Sequence, residues 1–153
     1  MSNDRQLIGN AGIYHVAREL SRYGWNVMLT VRNARGADLY AISRCEAVAH
    51  SIQVKAHSGK PNDVRLGLTP ETLVTPWWVF VSSAQTHAPA SYVLPLEEIR
   101  ARMTRDPGTR SGKAERAFWF DRRYFTPGSD RELTEAREAW DRLGDPAYPI
   151  VRP

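Results

Sequence analysis

In Ile52-Gln53-Val54-Lys55-Ala56 apolar and polar residues alternate, the pattern of a strand that sends successive side chains to opposite faces. Ile52, Val54 and Ala56 make an apolar face, and Gln53 and Lys55 stand side by side on the other. On the strand predicted just before, Asp38 is the one acid in the otherwise uncharged run GADLYAI. An acid, an amide and a lysine meeting on one sheet face have the chemistry to hold a hard divalent cation. Asp38 offers a carboxylate oxygen, Gln53 a carbonyl oxygen, and Lys55 a positive charge for a phosphate or an attacking water. A plainer reading stands beside this one. Lysine and glutamine are common on half-exposed strand faces, and an Asp after Gly-Ala often belongs to a turn.

Positioning these residues requires at least a helix and three strands. Ile13, Val16, Ala17 and Leu20 recur at helical spacing, which predicts a core-facing helix over residues 9–23 with Gly24 as its C-cap. Residues 25–31, 37–43 and 50–57 read as strands joined by short turns, an antiparallel meander. With Asp38, Gln53 and Lys55 on one face, that face is expected beside the first helix. Further on, SGKPND reads as loop, and Thr69-Pro70-Glu71 as the start of a short helix. WWVFVSS reads as a buried strand with Trp77 and Trp78 facing opposite ways, and SYVLPL as another strand. Pro95 opens a helix whose inner face is Leu96, Ile99 and Met103. Residues 104–117 are polar and rich in breakers, a flexible loop by composition. FWFDRRYF reads as an aromatic strand, and Ser129-x-x-Glu132 as a capping box before a closing helix lined by Leu133, Ala136, Trp140 and Leu143. The aromatic segment and closing helix offer either a lid on one sheet face or the surface of a homodimer.

The order of these elements, with Asp38, fourteen intervening residues and then Gln53-Val54-Lys55, resembles the D-x(n)-(E/Q)xK signature of the PD-(D/E)XK nuclease superfamily. That superfamily includes restriction enzymes and Holliday-junction resolvases. The resemblance extends over roughly residues 9–100, including a leading helix of the form G-x-x-G-x-x-x-V-A-x-x-L. It implies one α/β domain over 1–153: a restriction-endonuclease-like αβββαβ core within about 9–103, a mixed central sheet flanked by helices, and a C-terminal extension over about 118–144. It also implies Asp38, Gln53 and Lys55 as catalytic residues, with Asp38, Gln53 and the main-chain carbonyl of Val54 as ligands to Mg²⁺ or Mn²⁺. Gln53 stands where Glu is usual, so the ion is expected to bind weakly. The implied activity is hydrolysis of phosphodiester bonds in DNA. The alternative is a catalytically degenerate domain that binds nucleic acid or protein.

Composition agrees with a globular chain: of 153 residues, 42% are hydrophobic and 25% charged. No apolar run approaches the roughly 20 residues a membrane helix needs, and the first residues lack a secretory pattern, so a cytoplasmic protein is expected. The single cysteine, Cys45, excludes an intrachain disulfide and a Cys-rich zinc site. The four histidines lack HxxxH or HExxH spacing. A net charge of +4 is compatible with nucleic acid as partner, with Arg18, Arg22, Arg32, Arg35 and Arg44 as candidate phosphate contacts or simply a solvated basic surface. GTRSGKAE misses the phosphate-loop pattern by one residue and lacks its Ser or Thr.

Overall fold

The computed structural model describes residues 2–31, 36–59, 62–67, 69, 71, 73–105 and 117–148. The first helix, α1 (Ser2–Arg22), starts seven residues before the expected point, because nothing in SNDRQLI breaks it and Asp4 suits the positive end of the helix dipole. It stops at Gly24, whose φ of 95° is the left-handed conformation of a C-cap. There the Trp25 N–H donates to the Leu20 carbonyl at 3.0 Å. Val16 and Leu20 are fully buried, as the spacing required. Gly12 has a separate task. A Cβ there would collide with the Cβ of Ala56, so this glycine lets α1 lie close upon the sheet.

Three antiparallel strands follow: β1 (Asn26–Leu29), β2 (Leu39–Ile42) and β3 (Ala49–Ala56). The chain then crosses over, forming β4 (Val64–Gly67) on the way, and returns as β5 (Trp77–Ser82), parallel to β3. β6 (Ala90–Pro95) turns back antiparallel to β5 and leads into α2 (Leu96–Arg102). The main sheet is therefore mixed, in the order β1-β2-β3-β5-β6. A second, small sheet joins β4 to β8 (Phe118–Phe120) and β8 to β7 (Thr104–Arg105). The fold is α/β, as expected, and the aromatic strand forms.

Each face of the main sheet has its own core. On one, α1 covers Leu39, Ile52, Val54, Val79 and Val81; under the other, Trp78, Phe80, Tyr92 and Leu94 meet Ile99, Phe120 and Phe125. This double cover explains why WWVFVS is a continuous apolar run rather than an alternating one. Trp77 and Trp78 do face opposite ways, toward the first and second core respectively. No described helix is long and apolar enough to cross a membrane.

Three expectations need revision. First, VRLG, to which the sequence reading assigns no element, is β4, and the helix start at Thr69-Pro70-Glu71 falls partly outside the described residues. Second, the flexible loop assigned to 104–117 begins with the paired strand β7, while residues 106–116 lie outside the described residues. Third, the closing α-helix does not form. Short 3-10 turns at Thr134–Ala136 and Trp140–Leu143 take its place. The cause is the open edge of β6. The Glu138 N–H donates to the Ser91 carbonyl at 2.7 Å, and its Oε1 accepts the Ser91 N–H at 2.7 Å. Arg137 bridges to Tyr92, and Arg142 Nη1 donates to the Val93 carbonyl at 2.9 Å. A helix would keep its own backbone groups and leave those of β6 bare. The apolar set is buried nonetheless, with Leu133 and Ala136 in the second core and Trp140 and Leu143 in the first. One helical face would not serve both.

The close approach at Gly12 generates a test. Gly12→Ala should improve helix propensity by about 1 kcal/mol, yet overpacking against Ala56 costs typically 1–3 kcal/mol. The variant is expected to unfold at lower urea than wild type, and Gly12→Ala/Ala56→Gly to recover the loss. A stabilised single variant would mean the helix and strand can move apart at little cost.

Candidate active site

Asp38 lies at a bend just before β2, and its backbone is held from two sides. Its carbonyl accepts the Thr30 N–H at 3.0 Å and the Thr30 hydroxyl at 3.1 Å, while its own N–H donates to the Ile52 carbonyl at 2.8 Å. Leu39, next along, is buried in the α1 core opposite Ile52. Asp38 therefore faces the other way. The same alternation on β3 sends Ile52, Val54 and Ala56 toward α1 and Gln53 and Lys55 to the face of Asp38.

The three residues thus share one face, but it is the face away from α1, not beside it as expected. α1 carries an apolar stripe and takes the apolar face of β3. The polar set is left with Trp78, Phe80 and the second core. Gln53 Nε2 donates to Asp38 Oδ2 at 2.7 Å, and the Val54 N–H donates to the same oxygen at 2.7 Å. Among the described residues Oδ1 has no hydrogen-bond partner. The N–H and carbonyl of a strand residue point to the same neighbour, so the Val54 carbonyl lies on the Asp38 side of β3. The Lys55 ammonium sits 5.9 Å from the Trp78 ring centroid. That ring is fixed by its own N–H, which donates to the Thr75 carbonyl at 2.9 Å.

Burial dominates the electrostatics. It pushes the Asp38 carboxyl above its ordinary range, opposed by the Val54 N–H and the charge of Lys55. It pushes the Lys55 ammonium below its ordinary value, opposed by Asp38. Each charge is held partly out of water and supported by the other.

A hard cation fits the donors of this site only modestly. Asp38 provides one carboxylate, with Gln53 and a main-chain carbonyl as neutral oxygens, a set Mg²⁺ accepts when waters and a phosphate complete its shell. Among the described residues no three His, Cys, Asp or Glu side chains cluster to hold a metal ion.

Arg18, Arg22 and Arg44 are not gathered here. Arg32 and Arg35 lie outside the described residues. Arg18 and Arg22, on α1, flank the buried carboxylate of Glu19 at 2.9 and 2.8 Å. They lie in the layer across the sheet from Asp38, where Arg18 borders a cavity of about 430 Å³ with His15, His87 and Glu138. Arg44 is exposed, its N–H bound to the Pro146 carbonyl.

Sequence reasoning passed over His57. It continues the row of Gln53 and Lys55 two residues on, and that spacing is the signal that could have found it. Its ring stacks on Phe125 with centroids 5.4 Å apart and planes 8° from parallel. Its Nε2 is buried without a hydrogen-bond partner. Comparison with family models, with curated proteins and with solved structures found no match to this chain.

Burial pushes the His57 pKa below its ordinary 6.5, so the folded chain binds fewer protons here than the unfolded one. Stability from a neutral His57 is present above pH 6.5 and lost as pH falls through the window beneath it. His57→Phe keeps the stacked ring and removes both the titration and the orphaned nitrogen. Its stability advantage over wild type is expected to widen between pH 7.5 and 5 in urea melts. A constant difference would show that His57 gains a partner for its proton.

Proposed function

We propose that this chain is a divalent-metal-dependent nuclease of the PD-(D/E)XK type, hydrolysing phosphodiester bonds in cytoplasmic DNA through Asp38, Gln53 and Lys55. The observation that carries this reading is the 2.7 Å contact of Asp38 with Gln53 beside the half-buried Lys55, on a sheet face otherwise lined by aromatic side chains. Polar groups kept in such surroundings run against packing, and departures of that kind concentrate at working sites.

Asp38 Oδ1, the Gln53 side-chain oxygen and the Val54 carbonyl would hold Mg²⁺ or Mn²⁺. When bound, such an ion stabilises charge on a phosphate and lowers the pKa of a bound water. Gln53 has one adjustment to make. Its amide nitrogen faces Asp38, and a half-turn of the amide exchanges that donor for an oxygen directed at the cation. Lys55, partly withdrawn from water, attracts a phosphate oxygen more strongly than an exposed lysine does.

One observation favours a second reading, a non-catalytic module of the same fold. Asp38 is the sole carboxylate in this group, and its Oδ2 already accepts two N–H donors.

Plasmid nicking across a Mg²⁺ and Mn²⁺ series separates the two. Asp38→Ala and Lys55→Ala should each lose at least about a hundredfold in rate, the scale seen when one preorganised electrostatic group is removed. Lys55→Ala should still bind metal. Gln53→Glu places two carboxylates together, so it should be less stable than wild type without metal, gain more in Tm on adding Mg²⁺, and nick at lower Mg²⁺. Silence in wild type and Gln53→Glu alike, despite metal binding, would leave the binding module. Duplex DNA affinity should also fall steeply with salt as phosphate contacts release counterions. A flat response in a titration at several salt concentrations would remove nucleic acid as the ligand.

A further inference from the structure

The two edges of the main sheet are treated differently. At β6, residues 136–142 cover the edge through the Glu138, Arg137 and Arg142 contacts described above. At the other end, β1 has a single neighbour, β2, among the described residues. The Thr30 N–H points inward to Asp38, so strand alternation turns the N–H and carbonyl groups of Val27 and Leu29 outward. Monomeric proteins protect such an edge with charges, proline or a bulge. Residues 26–31, NVMLTV, contain no charge and no proline.

Exposed apolar side chains gather at this edge. Nine large hydrophobic residues are exposed among those described, and four of them, Met28, Leu29, Val31 and Tyr40, lie on β1, just after it, or opposite it on β2. Leu29 and Val31 lie on the α1 face, since Leu29 pairs with the buried Leu39. Met28 and Tyr40 face each other in register on the other side, the Asp38 side. The edge is therefore apolar above and below the strand.

We propose that this edge is the interface of a homodimer, formed by antiparallel pairing of β1 with β1 of a second copy. A two-fold axis relating neighbouring strands of one sheet makes them antiparallel and brings the same patch against itself. An uncharged strand meets no like charge across that axis. Met28, Leu29, Val31 and Tyr40, all exposed, give the apolar surface such a pairing would cover on both faces of the strand, in addition to its backbone groups. The axis stands perpendicular to the sheet, so both Asp38 faces lie on the same side of a ten-stranded sheet. Their strands are three spacings apart, about 14 Å. The pairing itself does not rest on the nuclease reading.

The test is mass in solution, by light scattering on a sizing column, from low micromolar to near-millimolar chain. Wild type should give twice the 17.3 kDa chain mass. Leu29→Lys puts two like charges at the axis, and Leu29→Pro removes an outward donor without touching the inward ladder. Both should halve the mass with unchanged far-UV circular dichroism, while Glu97→Lys, at an exposed position on α2 beyond β6, should stay dimeric. A monomeric wild type throughout the range, or a dimer that survives Leu29→Lys, overturns the proposal. Should both Leu29 variants misfold, hydrogen exchange on wild type decides. Protection of the Val27 and Leu29 amides that rises with concentration supports the pairing, and protection independent of concentration overturns it.

Discussion

β3 is bonded on both sides, antiparallel to β2 and parallel to β5, and this fixes the direction of every side chain it carries. A shift of one residue would exchange its two faces entirely. Ile52, Val54 and Ala56 are then committed to α1, and Gln53, Lys55 and His57 to the opposite layer. The close contact of Gly12 with Ala56 locks the helix to that choice. The Asp38–Gln53 contact follows, because Leu39 lies directly opposite Ile52 and the residue just before β2 is brought across from the residue after Ile52 on β3.

The second face has an unusual mixture. Phe80 stacks on Phe120 and Phe125 at 5.0 and 4.9 Å between centroids, and His57 adds to the stack on Phe125. Beside this dry cluster stand a carboxylate and an ammonium whose charged forms burial disfavours. Replacing such groups with apolar ones of similar volume is often neutral or favourable for stability. Their retention is not explained by packing. The gradient from aromatic stack to polar row instead sets half-buried Asp38 and Lys55 beside a buried aromatic wall.

Much of this was legible locally, for a definite reason. Strand alternation and helical spacing are properties of neighbouring residues, so α1, the meander and the shared face of Asp38, Gln53 and Lys55 could be read from the chain. Which layer covers each face is decided by distant segments, and there the reading failed: the site was expected beside α1 and lies across the sheet from it. The closing segment failed for the same cause. Leu133, Ala136, Trp140 and Leu143 have helical spacing, but Ser91 and Val93, more than forty positions earlier, claim the backbone and side-chain hydrogen bonds of residues 138 and 142. β4 and β7 are short and owe their pairing to β8. His57 was missed because the row was read as ending at Lys55.

A sheet that is capped at one edge and, among the described residues, unpaired at the other has a direction, and the candidate site lies toward the unpaired end. Asp38 immediately precedes β2, the neighbour of β1, while the second core and the small sheet bury the face around Phe80 and Tyr92 further in. Exposed Met28 and Tyr40 occupy the same face between Asp38 and the edge. The nucleic-acid duplex proposed above could not enter a buried face; it would have to lie where the described residues leave this face exposed, as at Met28 and Tyr40. Toward this edge, unpaired among the described residues, Asp38 and Lys55 remain partly exposed. Covering the β1 edge with a segment of the same chain, as residues 136–142 cover β6, would protect the strand but crowd the approach to Asp38. Pairing with another β1 protects it without adding a layer, because the new strand extends the sheet in its own plane and leaves the face open.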